Sequence, residues 1–178
     1  MRHIDKQPKV SRRAFIKAGG ASLIAMQIIP GGLITGKAWA ATPQTLKAES
    51  YATLVQMSRD LYPHDRLADS YYAAAVNGLD QAAAADAALR DMLEAGVAEF
   101  DAAAQTAHGT KYLDLPWERD RVTLLKSSEN SPFVQKVRGN LVTGLYNNKE
   151  LWPIFGYEGE SASEGGYINR GFNDLNWL

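Results

Sequence analysis

An all-α fold, a small bundle of about five helices with an extended glycine- and aromatic-rich C-terminal tail, is what this sequence predicts. Three observations lead there. Between Thr45 and Asn148 the apolar residues recur at spacings of three and four, the period of a helix. Helix-stopping and helix-starting residues divide that stretch into five segments. No stretch alternates polar and apolar residues for long enough to argue a sheet.

The first segment places Tyr51, Leu54, Val55, Leu61 and Tyr62 on one face, and Pro63 ends it. A second runs from about Asp65, with Leu67, Tyr71, Ala74, Ala75 and Leu79 on its stripe. The third and longest carries Leu89, Met92, Leu93, Gly96, Phe100, Ala103 and Ala104, and closes at His108-Gly109 with a glycine C-cap. A fourth opens at Pro116 and carries Trp117, Leu124 and Leu125. The fifth opens at Ser131-Pro132, an N-cap followed by a first-turn proline, and buries Phe133, Val137, Leu141, Gly144 and Leu145. The alanine-rich patch from Ala82 to Ala88 predicts close helix packing, because alanine forms helices well and lets backbones approach.

From Lys149 to Leu178 the character changes. These thirty residues hold five glycines and six of the chain's seventeen aromatics. A disordered tail is poor in aromatics, so this one packs on something, either its own helices or a second protein. Trp and Tyr dominate interface energetics. The tail residues Trp152, Phe155, Tyr157, Tyr167, Arg170, Phe172 and Trp177 are therefore the expected partner interface.

Charge divides the chain as sharply as pattern does. Residues 1–40 hold seven basic residues against Asp5 alone, a formal charge of +6; residues 41–178 hold 12 basic and 19 acidic residues, −7. The near-neutral total hides a basic head on an acidic body. An acidic body without basic runs has no footprint for nucleic acid. The body, 138 residues long, is the usual size of one domain. Cysteine is absent, which excludes disulfides, thiolate nucleophiles, iron–sulfur clusters and covalently attached c-type haem.

The head reads as an export leader. Ser11-Arg12-Arg13-Ala14-Phe15-Ile16-Lys17 resembles the S-R-R-x-F-L-K pattern of twin-arginine signals, with Ile16 where Leu is commonest. A weakly apolar stretch from Ala18 to Gly36 follows, diluted by Gly19, Gly20, Gln27, Pro30, Gly31 and Gly32. Such breakers suit a leader rather than a membrane anchor, which needs about twenty mostly apolar residues. Ala38-Trp39-Ala40 forms an A-x-A site, predicting cleavage after Ala40. The expected organisation is a signal peptide over 1–40, a helical domain over 41–148 and the tail over 149–178.

Chemistry-bearing residues are few. The three histidines, His3, His64 and His108, are too scattered for a metal triad. His64-Asp65 admits an acid/base pair or part of a metal site, but reads better as a charge at a helix end followed by an Asp N-cap. His108 reads as a last-turn helix residue. Gly156-Tyr157-Glu158-Gly159 and Gly165-Gly166 follow no expected strand, which argues against a nucleotide loop. Glu158, Glu160, Glu164 and Asp174 lack the cleft that a glycosidase pair requires. No catalytic, cofactor or metal residue is assigned.

One set of motifs carries a family likeness. Tyr62-Pro63-His64-Asp65 follows the first helix, Leu145-Tyr146-Asn147-Asn148 leads to Leu151-Trp152, and Phe155-Gly156-Tyr157-Glu158-Gly159 precedes Gly165-Gly166-Tyr167-Ile168-Asn169-Arg170-Gly171-Phe172. Over most of the body this resembles the gluconate 2-dehydrogenase subunit 3 family. Its members are small subunits accompanying a large flavoprotein of the glucose-methanol-choline oxidoreductase type. The ending Asn176-Trp177-Leu178 departs from the G-W-K-x-x-G type of the gluconate enzymes, and relatives accompany dehydrogenases of other sugars, glycosides and alcohols. The resemblance implies a non-catalytic subunit with no cofactor of its own, the FAD residing in its partner. A cytochrome c subunit commonly carries the electrons onward. The small subunit supplies the leader read by the twin-arginine translocase, and the complex is periplasmic, held at the inner membrane through partners. Two other classes stand beside this one: an independent periplasmic binding or scaffold protein, and an enzyme using His64 and Asp65.

Overall fold

A computed structural model describes residues 43–169 and Phe172, all within the unit Ala41–Leu178. The leader motif, the Ala38 and Ala40 site, Arg170 and Trp177 lie outside the described residues. Those described form α1 (Ala48–Leu61), α2 (Asp69–Ala85), α3 (Ala87–His108), a 3-10 turn (Tyr112–Asp114), α4 (Glu118–Ser127), α5 (Pro132–Gly144) and the single-turn α6 (Trp152–Phe155). Among the described residues there is no strand, so the all-α expectation holds. Five long helices match the five segments, and the sixth lies inside the tail.

Helix α1 is the axis of the bundle, packing against α2, α3, α4, α5 and the 3-10 turn. Nine of its fourteen residues are buried, among them Tyr51, Leu54, Val55 and Met57. Burial of each such apolar side chain contributes about 1.5–3 kcal/mol. So complete a burial also takes in polar groups, which must be satisfied internally. Ser58 Oγ donates to the Leu54 carbonyl at 2.7 Å. Asp60 accepts from Gln56 Nε2 at 3.1 Å, from Tyr112 Oη at 2.9 Å and from Arg121 Nε at 2.7 Å, tying α1 to the 3-10 turn and α4.

The caps follow local chemistry. Ser131 accepts the Val134 N–H at 3.3 Å with Pro132 at the first turn of α5. Gly109 takes the left-handed conformation, φ 74°, that ends α3. Asp86 both closes α2 and caps α3, accepting from Leu89 N.

The buried faces depart from expectation in several places. In α2 the inward set is Tyr72, Ala73, Ala75, Val76, Leu79 and Ala83, while Tyr71 is half-buried and Ala74 exposed. Alanines are equally apolar all round this helix and do not fix its rotation. Tyr72 does so, its hydroxyl donating to the Tyr62 carbonyl at 2.6 Å. The helix starts at Asp69 rather than near Asp65, with Ala68 at its N-cap. Asp65 is thus an exposed turn residue, not a cap. Of the Ala82–Ala88 patch only Ala83 is buried. Close helix packing occurs elsewhere: a methyl on Gly96 would sit inside the Phe133 ring, and one on Gly144 would come within 3.1 Å of Ala75 Cβ. On α3, Val97 is buried, Met92 half-buried and Ala103 exposed. Trp117 is 63% exposed in extended backbone ahead of α4, with the Arg119 guanidinium 6.0 Å from its ring centre. It does not join the core, and α4 begins at Glu118 rather than Pro116.

Candidate partner interface

The Tyr62-Pro63-His64-Asp65 turn, the end of α5 and the start of the tail meet at one end of the bundle. Three hydrogen bonds set the turn. Tyr72 Oη donates to the Tyr62 carbonyl and accepts the His64 N–H at 3.2 Å, and Leu67 N donates to the His64 carbonyl at 3.1 Å. Two of these bonds go to the Tyr72 side chain, and Pro63 lacks the N–H that a continuing helix would need.

Around the turn the aromatics close on one another. His64 Nε2 and Tyr146 Oη are 2.8 Å apart. Phe155 stacks on both rings, 5.0 Å from His64 and 5.3 Å from Tyr146, and Tyr62 meets Tyr146 edge-on at 5.5 Å. Burial, followed by the neighbouring Tyr62 and Tyr72, pushes the Tyr146 phenol above its ordinary range, so it stays a neutral hydroxyl. A neutral phenol facing a ring nitrogen makes this a packing contact with a polar centre.

Helix α6 docks onto that cluster. Leu145 and Leu151 are fully buried, and Trp152 Nε1 donates to the Tyr146 carbonyl at 3.0 Å. The Lys149 ammonium lies 5.5 Å over the Trp152 ring. Gly156, at φ 75°, ends the turn, and Tyr157 N returns to the Trp152 carbonyl at 2.9 Å. Tyr157 then meets the Trp152 ring edge-on at 5.0 Å. Gly159 is buried against that same ring: at φ 114° it turns the chain back, and an added methyl would lie 3.7 Å from the Trp152 ring.

The expected interface residues therefore fall into two groups. Trp152 and Phe155 are half-buried and packed within the chain itself. Tyr157, Tyr167 and Phe172 are 50%, 59% and 78% exposed, and Ile154 and Ile168, outside the expected set, join them at 39% and 82%. The signal for Ile168 was its place beside Tyr167 in the glycine-aromatic run. Tyr146, the centre of the cluster, carried a signal only as part of the Leu145-Tyr146-Asn147-Asn148 motif.

Among the described residues no group of three or more His, Asp or Glu side chains is placed to hold a metal ion, and no helix is long and apolar enough to cross a membrane. His108 stands exposed at the end of α3, far along the sequence from His64. Compared with protein-family models, with curated proteins and with solved structures, the chain matches none.

Proposed function

We propose that this chain is the non-catalytic small subunit, and the twin-arginine export escort, of a periplasmic FAD-dependent sugar or alcohol dehydrogenase complex of the gluconate 2-dehydrogenase kind. The observation that carries the reading is the division of the tail. Its first part is anchored to the bundle through Trp152 and Phe155, and beyond that anchor Tyr157, Tyr167, Ile168 and Phe172 are each half or more exposed. Large apolar side chains left exposed close together in the sequence suit a surface that another protein covers. A rigid anchor beside that surface lowers the cost of ordering it on binding. The leader resemblance at Ser11–Lys17 supports the second half of the proposal. A flavoprotein that folds around FAD in the cytoplasm and lacks a leader leaves the cytoplasm bound to a chain that has one.

Replacing Arg12 and Arg13 by Lys tests it. The arginine pair is read by a receptor and not as bulk charge. Both this chain and the flavoprotein should then be retained in the cytoplasm, followed by fractionation and FAD fluorescence. A flavoprotein that still reaches the periplasm in that background ends the escort reading.

A further inference from the structure

Helices α2 and α5 touch at one end and part at the other. A methyl on Gly144 would come within 3.1 Å of Ala75 Cβ, and Asn140 Nδ2 donates to the Ala75 carbonyl at 2.8 Å. Beyond that contact a groove of about 320 Å³ opens between them, with Gly78 and Ala82 on one wall and Lys136, Gly139 and Asn140 on the other. It reaches down to Leu79, which is buried.

Charge singles this groove out. Residues 41–178 carry −7, yet no carboxylate lines it. Helix α5 has no acidic residue, and both acids of α2 are taken elsewhere. Asp69 pairs with Arg59 at 2.6 Å, and the buried Asp80 accepts the backbone N–H groups of Gln44, Thr45 and Leu46 at 2.6, 3.0 and 2.8 Å. Lys136 is left with no ion-pair or hydrogen-bond partner among the described residues, and so is Arg138 on the same helix. Shape points the same way. Gly139 sits inside α5 with nothing within 4 Å of an added methyl, and a methyl on Gly78 inside α2 would come no nearer than 3.7 Å to Asn140 Oδ1. A glycine inside a helix weakens it relative to alanine, and the chain's own packing requires neither of these two. Gly96 and Gly144 differ, since Phe133 and Ala75 occupy the space beside them. The bare backbones on the groove leave room for a chain from outside to approach closely.

We infer that the α2–α5 groove is a docking site for an acidic segment of a second protein, whose carboxylates meet Lys136 while its backbone lies against Gly78 and Gly139. A carboxylate is attracted to the unpaired ammonium, and the acidic body repels the same segment elsewhere. Such complementarity sets register and partner choice more than raw affinity. The groove is a site apart from the tail aromatics: charge selects its occupant, apolar area selects theirs. The inference does not depend on the export reading.

The experiment titrates the isotope-labelled full chain with a capped Glu/Ala peptide, with its Gln/Ala counterpart and with inorganic phosphate, following backbone amides by NMR. The Glu/Ala peptide should shift the amides of residues 78–82 and 135–143, and its affinity should fall as salt rises from about 50 to 300 mM. Lys136→Glu should weaken binding about tenfold or more, because it sets like charges opposite one another. Gly139→Leu should fill the groove and weaken binding as much, with a melting temperature unchanged or higher, since leucine forms helix better than glycine and the site has room. Equal shifts from the Gln/Ala peptide overturn the inference, and so does the absence of any shift at the groove. Phosphate shifts as large as the peptide's make this a small-anion site and overturn it too, as do peptide shifts confined to residues outside the two helices, the basic residues 1–40 included. Should Lys136→Glu fail to fold, Gly139→Leu decides alone: a folded variant that binds as tightly as the natural chain ends the proposal. No flavoprotein enters the assay, so failure of the escort reading leaves these expected results as stated.

Discussion

Tyr112 shows how much one side chain settles in this fold. It is fully buried between Asp60 and the Phe100 ring, which meets it edge-on at 5.7 Å. Burial first, and the Asp60 charge second, push its phenol far above the ordinary value of 10.0. The sign of the consequence follows from linkage. A group whose folded pKa is raised contributes its full share of stability below the unfolded pKa, and loses it as pH climbs from there towards the folded value. Stability should therefore be steady up to about pH 10 and then fall, Tyr112 alone costing about 1.4 kcal/mol per pH unit. Tyr51 and Tyr72, also raised by burial, add to the slope. In Tyr112→Phe the carboxylate of Asp60 keeps Arg121 and Gln56 but loses one donor, so neutral-pH stability should drop by about 1–3 kcal/mol. The same variant should lose stability less steeply above pH 10. Urea unfolding between pH 8 and pH 11 measures both; equal slopes in the two proteins would mean that Tyr112 titrates while folded.

Between elements, α3 and α5 approach closely where the Phe133 ring lies on Gly96. A methyl there has no room, and the ring is further wedged by Phe100 at 5.7 Å. Gly96→Ala should cost about 2–3 kcal/mol, as overpacked cores do, and lower the melting temperature by roughly 10 °C. Adding Phe133→Leu should recover part of the loss, because the obstacle is the ring itself. A double variant no more stable than Gly96→Ala would place the strain elsewhere. The sequence marks Gly96 as a buried-stripe position of the third segment, and the caps at Ser131-Pro132 and Gly109 were equally legible, because capping acts within a few residues. The face of α2 was not legible, since a run of alanines has no preferred side and the helix is turned by the bond from its own Tyr72 hydroxyl to the Tyr62 carbonyl. Nor was Asp80, whose partners lie 34 to 36 residues away. A carboxylate on a helix reads as solvated until the segment it caps is known. Trp117 misled for the opposite reason: a large aromatic next to a helix start suggests core, yet it precedes the helix in extended backbone and points to solvent.

Across the whole molecule, the tail joins the bundle to whatever lies beyond it, and its aromatics divide by what their loss should do. The sequence marked all of them as one class, because composition reveals a surface-seeking tail but not which rings return to the chain's own helices. Trp152 and Phe155 close the Tyr62, His64 and Tyr146 cluster, so alanine there removes packing and, for Trp152, the bond to the Tyr146 carbonyl. Full burial of such a ring is worth about 3–5 kcal/mol on truncation, and these half-buried ones should cost less, about 1–3 kcal/mol, read as a lowered melting temperature. Tyr157, Tyr167 and Phe172 are half or more exposed, so substitution there should cost about 1 kcal/mol or less, even with the Tyr157 contact to the Trp152 ring removed. At an interface the same side chains are worth about 2 kcal/mol or more each, a factor of roughly 30 in affinity. Alanine variants of all five, measured one at a time for melting temperature and for co-purification with the proposed flavoprotein partner, separate the two groups. At least two of Tyr157, Tyr167 and Phe172 should keep the fold and lose the partner, while Trp152→Ala and Phe155→Ala should lose stability first. If the three exposed positions all tolerate alanine with the partner still bound, the tail is not the docking surface, and the contact must be sought on the helices.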